Sequence, residues 1–207
     1  MNVVEPRWEW RTFGDRFTDV EALVSAAAPT LRVSRDTYIV CDGSDVTTKI
    51  RDAQVNVKVR RRVEQGLELW SLVLKAPFPI GAGVIRRLFA EWCLLSPALA
   101  RDDYTQSEFL SEVIALTPRC HIIDVEKHRR GAVLFGCRVE AATLKAGDHH
   151  IATVAVEATN LHHVLEAVRT LALSDCENVN CVKALKRIVV PSGPGPVARA
   201  GGRLSTP

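Results

Sequence analysis

The stretch VNVKVRRR (55–62) alternates valines with polar residues, so Lys58, Arg60 and Arg62 share one face of a strand and Val57 and Val59 the other. The same parity recurs along the chain. Arg7, Glu9 and Arg11 share a face opposite Trp8 and Trp10, and Lys75 ends a face opposed to Trp70, Leu72 and Leu74. Lys127 and Arg129 share a face, Arg138 and Glu140 oppose Cys137 and Val139, and Glu157 opposes Val154 and Val156. Nine cations on these strands (Arg7, Arg11, Lys58, Arg60, Arg62, Lys75, Lys127, Arg129, Arg138) stand against three carboxylates (Glu9, Glu140, Glu157). That excess of six is larger than the formal net charge of the whole chain, +3. A sheet with one wet face explains any single run. Together, closely spaced like charges repel and call for a counter-anion. If the sheet closes with its oily face outward under helices, the charges line the interior, the reverse of an ordinary small barrel. Such a lining suits a ligand with several negative charges, a phosphate chain above all. Arginine offers phosphate oxygens a planar fork and lysine a point charge.

The elements that must position these residues follow from hydrophobic period and turn chemistry. Strands are predicted at 3–13, 35–41, 55–62, 67–75, 121–130, 132–144 and 150–159, with turns at DGSD (42–45), EQG (64–66) and Gly131. Helices are predicted at 19–28 (capped by Thr18 or Asp19, ended by Pro29), 84–95, 106–116, 160–173 (capped by Asn160) and roughly 179–189. Regular strand–helix alternation is absent, which argues against parallel βαβ units and for an antiparallel α+β fold. The expected architecture is an eight-stranded antiparallel barrel or tunnel with a charged interior and helices packed outside. Residues 1–190 read as one domain. The Pro-, Gly- and Ala-dominated stretch 191–207 reads as a disordered tail, too poor in apolar surface to offset its ordering entropy.

The chain has 207 residues, 47% hydrophobic and 25% charged, the balance of a soluble domain large enough to bury a core. Its six cysteines form no CxxC pair and read as reduced thiols. Glu5 and Arg7 interrupt any signal-peptide stretch, and no apolar run approaches a membrane span, so a cytoplasmic protein is expected.

With these motifs in order, the chain resembles the CYTH superfamily, the triphosphate tunnel metalloenzymes, which includes class-four adenylyl cyclases and thiamine and inorganic triphosphatases. The resemblance runs from about Arg7 to Arg187. It rests on RWEWR (7–11), in place of the family's E-x-E-x-K, and on DTYIV (36–40), VKVRR (57–61), LVLK (72–75), VEKHR (125–129), CRVEAATL (137–144) and VAVEAT (154–159). It implies that Arg11, Lys58, Arg60, Lys75, Lys127, Arg129 and Arg138 grip phosphates. It also implies that Glu9, Glu140 and Glu157 are catalytic residues holding Mg²⁺ or Mn²⁺, a metal that bridges phosphate oxygens and orients a water. The sequence departs from the pattern where it matters for metal. Arg7 and Ala155 stand where the family has glutamates, and Glu140 where it has aspartate, so metal affinity is expected to be reduced. Glu5 shares parity with Arg7 and is a potential substitute.

Two functions follow from the resemblance. One is a metal-dependent phosphohydrolase acting on triphosphate, short polyphosphate or an organic triphosphate. The other is a non-catalytic module that binds a nucleotide or polyphosphate. A nucleotide cyclase would also need base recognition, which no residue pattern supplies. The expected partner is a phosphorylated small molecule, with neither a membrane nor a nucleic-acid polymer, and with a homodimer left open. Trp8, Trp10 and Trp70 lie opposite the basic face and are expected under the helices, whereas single-strand platforms need aromatics among the cations. Tyr38 reads as a packed strand residue. His149–His150 and His162–His163 are adjacent pairs whose side chains diverge, so neither reads as a chelate.

Overall fold

The computed structural model describes residues 5–28 and 30–189. Its elements are β1 (Arg7–Gly14), α1 (Thr18–Ala27), β2 (Arg32–Cys41), β3 (Thr47–Arg51), β4 (Gln54–Glu64), β5 (Leu67–Pro77), β6 (Ile80–Gly81) and α2 (Ala82–Glu91). They continue as β7 (Asp103–Tyr104), α3 (Gln106–Glu108, prolonged by a π-helical stretch Phe109–Ile114), β8 (Cys120–Leu134), β9 (Cys137–Ala146), β10 (His149–Ala158), α4 (Leu161–Thr170) and α5 (Cys181–Val189). Eight strands form a closed barrel in the order β1-β10-β9-β8-β2-β3-β4-β5, each antiparallel to its neighbours, and β6 and β7 form a separate pair. The expected α+β barrel is therefore the fold observed. The expected tail at 191–207, the start of the first strand at 3, and the stop at Pro29 lie outside the described residues.

Local chemistry sets the strand boundaries. Gln65–Gly66 and Phe135–Gly136 are two-residue loops with positive φ at both positions, the geometry whose twist suits a hairpin. The second of these corrects the expected turn at Gly131, which lies within β8 opposite Glu140. β3 was not anticipated. It pairs Thr48 with Ile39 and with Val57, closing the gap between β2 and β4. At α1 the expected cap is absent: Phe17 holds the N-cap position without a side-chain bond, and Thr18 and Asp19 lie within the helix. At α4 the expected cap is made, with Asn160 Oδ1 accepting from the His162 and His163 amides.

The outward barrel face is oily and covered. Trp8, Trp10, Val139, Val154 and Val156 pack with Val20 and Val24 of α1 and Val164 and Val168 of α4. Ile39, Ile50, Val55, Val57 and Leu74 pack with Ile85, Leu88 and Phe89 of α2 and with Phe109 and Val113. Burying a side chain of this size contributes about 1.5–3 kcal/mol, which is what turns this face outward beneath the helices.

One helix departs from the expected arrangement. Tyr38, Val40, Ile123, Val125, Leu144 and Ala146 have inward parity, and Val182 and Leu185 of α5 pack among them. α5 thus fills one end of the barrel rather than covering its outside, and the interior is charged only over the remaining length. No helix of the described residues is long and apolar enough to cross a membrane.

Candidate functional site

Above α5 a cavity of about 290 Å³ opens inside the barrel. Of the residues singled out in the sequence, Glu9, Arg11, Lys58, Lys127, Arg129, Arg138, Glu140 and Glu157 line it. β3 adds Lys49 and Arg51, and Asn180 and Cys181 at the start of α5 complete one side. Seven cations therefore face three carboxylates in one enclosed volume.

Each carboxylate is already held. Glu9 accepts from Arg11 Nε at 2.8 Å. Glu140 accepts from Lys127 Nζ and, at 3.2 Å, from Arg129, with the Arg11 guanidinium 3.7 Å away. Glu157 pairs with Arg138 at 3.3 Å and Arg7 at 3.7 Å, both half-exposed at the outer end. Burial would raise the Glu140 carboxyl, but the charges of Lys127 and Arg11 outweigh it and hold the group far below the ordinary range. Burial likewise opposes ionisation of Glu9, and the charges of Arg11 and Lys58 overcome it.

The lysines show the other half of the imbalance. Burial depresses Lys127, and the Arg11 charge adds to that, even though Glu140 is in contact. Lys49 is pushed down to about 8 by burial, with Arg51 and Lys127 repelling its proton and Asp36 only partly compensating. Asp36 is a buried carboxylate behind the lining. It takes the Arg51 guanidinium through both oxygens and Lys49 Nζ at 3.3 Å. Lys58 lines the cavity without an ion pair to any described carboxylate and reaches Glu9 only through its field. Two buried donors, Trp70 Nε1 and Arg129 Nε, lack acceptors. Carboxylates are over-compensated and cations under-compensated, so the arrangement is suited to taking up a multiply charged anion.

Several expected placements change. Lys75 sits opposite Asn56 in register but is exposed and lines no part of the cavity. Arg60 is a strut at the α5 end, paired with Glu68 at 2.7 Å and Asp45 at 3.3 Å. Glu68 also accepts from Asn180, and Asp45 meets Lys183. The register of β4 on β5 shifts between Val57 and Lys58 and again between Arg60 and Arg62. The second shift sends Arg62 outward, its guanidinium 4.9 Å from the Trp8 ring centre. The first turns Leu72 and Trp70 inward while Leu74 packs outward, so Trp70 is a cavity residue and not a helix contact. Tyr38 is buried as expected, at the border between cavity and plug.

The donor set does not fit the Mg²⁺ or Mn²⁺ expected at Glu9, Glu140 and Glu157. Among the described residues no three His, Cys, Asp or Glu side chains gather to hold a metal ion. Each of the three glutamates is paired with cations, and Ala155 puts a methyl group opposite Glu140. Glu5 is exposed and lies before β1, so it does not substitute.

No family model matches the chain. No curated protein matches it either. Among solved structures, a candidate adenylate cyclase from Bacillus halodurans is similar with a TM-score of 0.50 and 11% identity, over 87% of this chain and 96% of that one. A candidate adenylyl cyclase from Hippeastrum, described as having a dominant triphosphatase activity, gives 0.47 and 13%, over 89% and 95%. A conserved hypothetical protein from Pyrococcus furiosus gives 0.47 and 10%, over 84% and 94%. The closed eight-stranded barrel is a fold shared with the Bacillus halodurans protein.

Proposed function

We propose that the chain binds a compact oligophosphate, inorganic triphosphate or the triphosphate end of a larger molecule, inside the barrel. The observation that carries this reading is the charge imbalance of the cavity, seven cations to three carboxylates that are themselves already paired. A volume near 290 Å³ is at the bottom of the range for drug-sized ligands, which favours a bare phosphate chain over a whole nucleotide. In this reading Lys58 supplies charge not paired with any described carboxylate, and Lys49 charge that Asp36 only partly offsets. Arg129 and Arg138 offer forks at the outer end, and Asn180 and Cys181 bound the inner end. Binding, rather than hydrolysis, is the function favoured by the commitment of all three glutamates to cations.

Calorimetry with inorganic tripolyphosphate, alongside phosphate release in the presence of Mg²⁺ or Mn²⁺, tests it. The expected result is saturable binding without turnover. Turnover abolished by Glu157→Ala would establish the hydrolase instead. Lys58→Ala should weaken binding about 10- to 100-fold, the weight of a charged hydrogen bond of about 1.5–3 kcal/mol. It should lower the melting temperature only slightly, because Glu9 loses the field of Lys58 but keeps its hydrogen bond from Arg11. Unaltered affinity in this variant would remove the site from the cavity.

Lys49 gives the site a pH dependence. Its folded-state pKa near 8 lies below the ordinary lysine value, and a bound anion must raise it. Binding therefore takes up a proton above pH 8, and affinity is full below that pH and falls as pH rises through it. Lys49→Arg should flatten this fall, whereas deprotonation of the ligand, which adds negative charge and acts in the opposite direction, would persist in that variant. Calorimetry in buffers of different ionisation heat reads the proton uptake directly.

A further inference from the structure

Resting on the reading of the cavity as an oligophosphate site, we infer that the ligand is the metal-free polyanion: protein cations do the neutralising that a divalent ion would otherwise supply. Three features of the cavity carry this. Every carboxylate that could ligate a cation is engaged by a side chain that is itself a cation. Glu9 is held by Arg11 at 2.8 Å, Glu140 by Lys127, Arg129 and Arg11, and Glu157 by Arg138 and Arg7. The arginines remain protonated at any working pH, so a metal ion would have to strip permanent ion pairs to win its ligands.

The second feature is where further oxygen ligands are missing. A hard divalent ion needs about six or more oxygens. Ala155 is opposite both Arg11 and Glu140 in register, next to the glutamates, and contributes none. Arg7 extends the β1 face of Glu9 toward the outer end and brings a positive charge to Glu157. The third feature is the sign of the field. A metal ion entering here meets seven cations and three neutralised carboxylates, and it is repelled until a phosphate chain has arrived. An unchelated phosphate chain meets no such barrier. Mg²⁺ bound to that chain in solution lowers its charge and occupies the oxygens that Lys58, Arg129 and Arg138 would take.

The experiment is a tripolyphosphate titration of the full chain by calorimetry, in EDTA and then in excess Mg²⁺ or Mn²⁺, with Mn²⁺ alone titrated by electron paramagnetic resonance. We expect full affinity in EDTA, a severalfold loss in excess Mg²⁺, and no Mn²⁺ site below millimolar concentration. Binding that appears only with metal, or tightens tenfold with it, overturns the inference while leaving the oligophosphate reading in place. A Mn²⁺ site of micromolar affinity in the protein alone also overturns it. No binding under any condition overturns both.

Discussion

Asp36→Ala is expected to cost about 3–5 kcal/mol of folding stability, the toll of leaving buried charge without its partner. The Asp36 side chain is 0% exposed and holds the Arg51 guanidinium through both oxygens and Lys49 Nζ at 3.3 Å. Burial alone would raise its pKa. The hydrogen bond from Arg51 and the charge of Lys49 reverse that, so the carboxyl is ionised wherever the protein is folded near neutrality. Without it, Arg51 and Lys49 confront Lys127 across the cavity with no local anion. At about 2–4 °C per kcal/mol for a chain of this size, melting should fall by about 6–20 °C. Lys49 can relieve part of the cost by losing its proton, which without Asp36 it does below pH 8, whereas Arg51 cannot, so the deficit should shrink as pH rises toward 8 without vanishing. Urea denaturation at pH 7 and pH 9 reads both effects. A loss below about 1 kcal/mol at pH 7 would mean that these cations are solvated and that the barrel interior is not the enclosed charged space described here.

Side-chain parity made much of that space legible in the sequence. Where a strand is regular, as in β1, β8, β9 and β10, alternation alone placed Glu9, Arg11, Lys127, Arg129, Arg138, Glu140 and Glu157 on the inward face. It failed where the backbone slips. The irregularities between β4 and β5 change which face a side chain takes, and nothing in VNVKVRRR or LELWSLVLK marks an extra residue. That is why Arg62 covers Trp8 from outside while Trp70 lines the cavity. Strand β3 was missed for another reason. It is five residues long and follows a turn-rich DGSD. Thr47, Lys49 and Arg51 do alternate with Thr48 and Ile50, and that short pattern was the available signal for the Asp36 cluster. The position of α5 was hidden because an amphipathic helix reads the same whether its apolar side covers a barrel or enters one.

The closed cavity also explains how so much like charge persists in one domain. Cations that line a closed barrel cannot separate by rotating into bulk water. Their repulsion is instead held by three internal glutamates and Asp36. The carboxylates therefore belong to the scaffold of the anion site: they make it foldable when empty, and they compete with any anion that enters. This dual role gives a sharp contrast with a metal-ligating role, because the two predict opposite effects of the same substitution.

Glu140→Gln separates them. The variant keeps the shape of the side chain but leaves Lys127, Arg129 and Arg11 without their shared counter-charge, which should lower folding stability by about 3 kcal/mol or more. Tripolyphosphate then meets Lys127 and Arg129 with no internal carboxylate competing for them, and Arg11 held by Glu9 alone. Part of the lost stability returns on binding, so affinity measured in EDTA should rise by about tenfold, or about 1.4 kcal/mol. The acid limb of the stability curve should change as well. Glu140 in the wild type is held far below its unfolded value. Its contribution is therefore present above the unfolded pKa and lost as pH falls toward the folded one, and the variant should lack that component of acid unfolding. Denaturation curves across acid pH and a single calorimetric titration measure all three quantities. Weaker tripolyphosphate binding by the Gln variant, in the absence of metal, would show that Glu140 supports the ligand rather than opposing it, and the account of the cavity as a pre-neutralised anion site would be wrong.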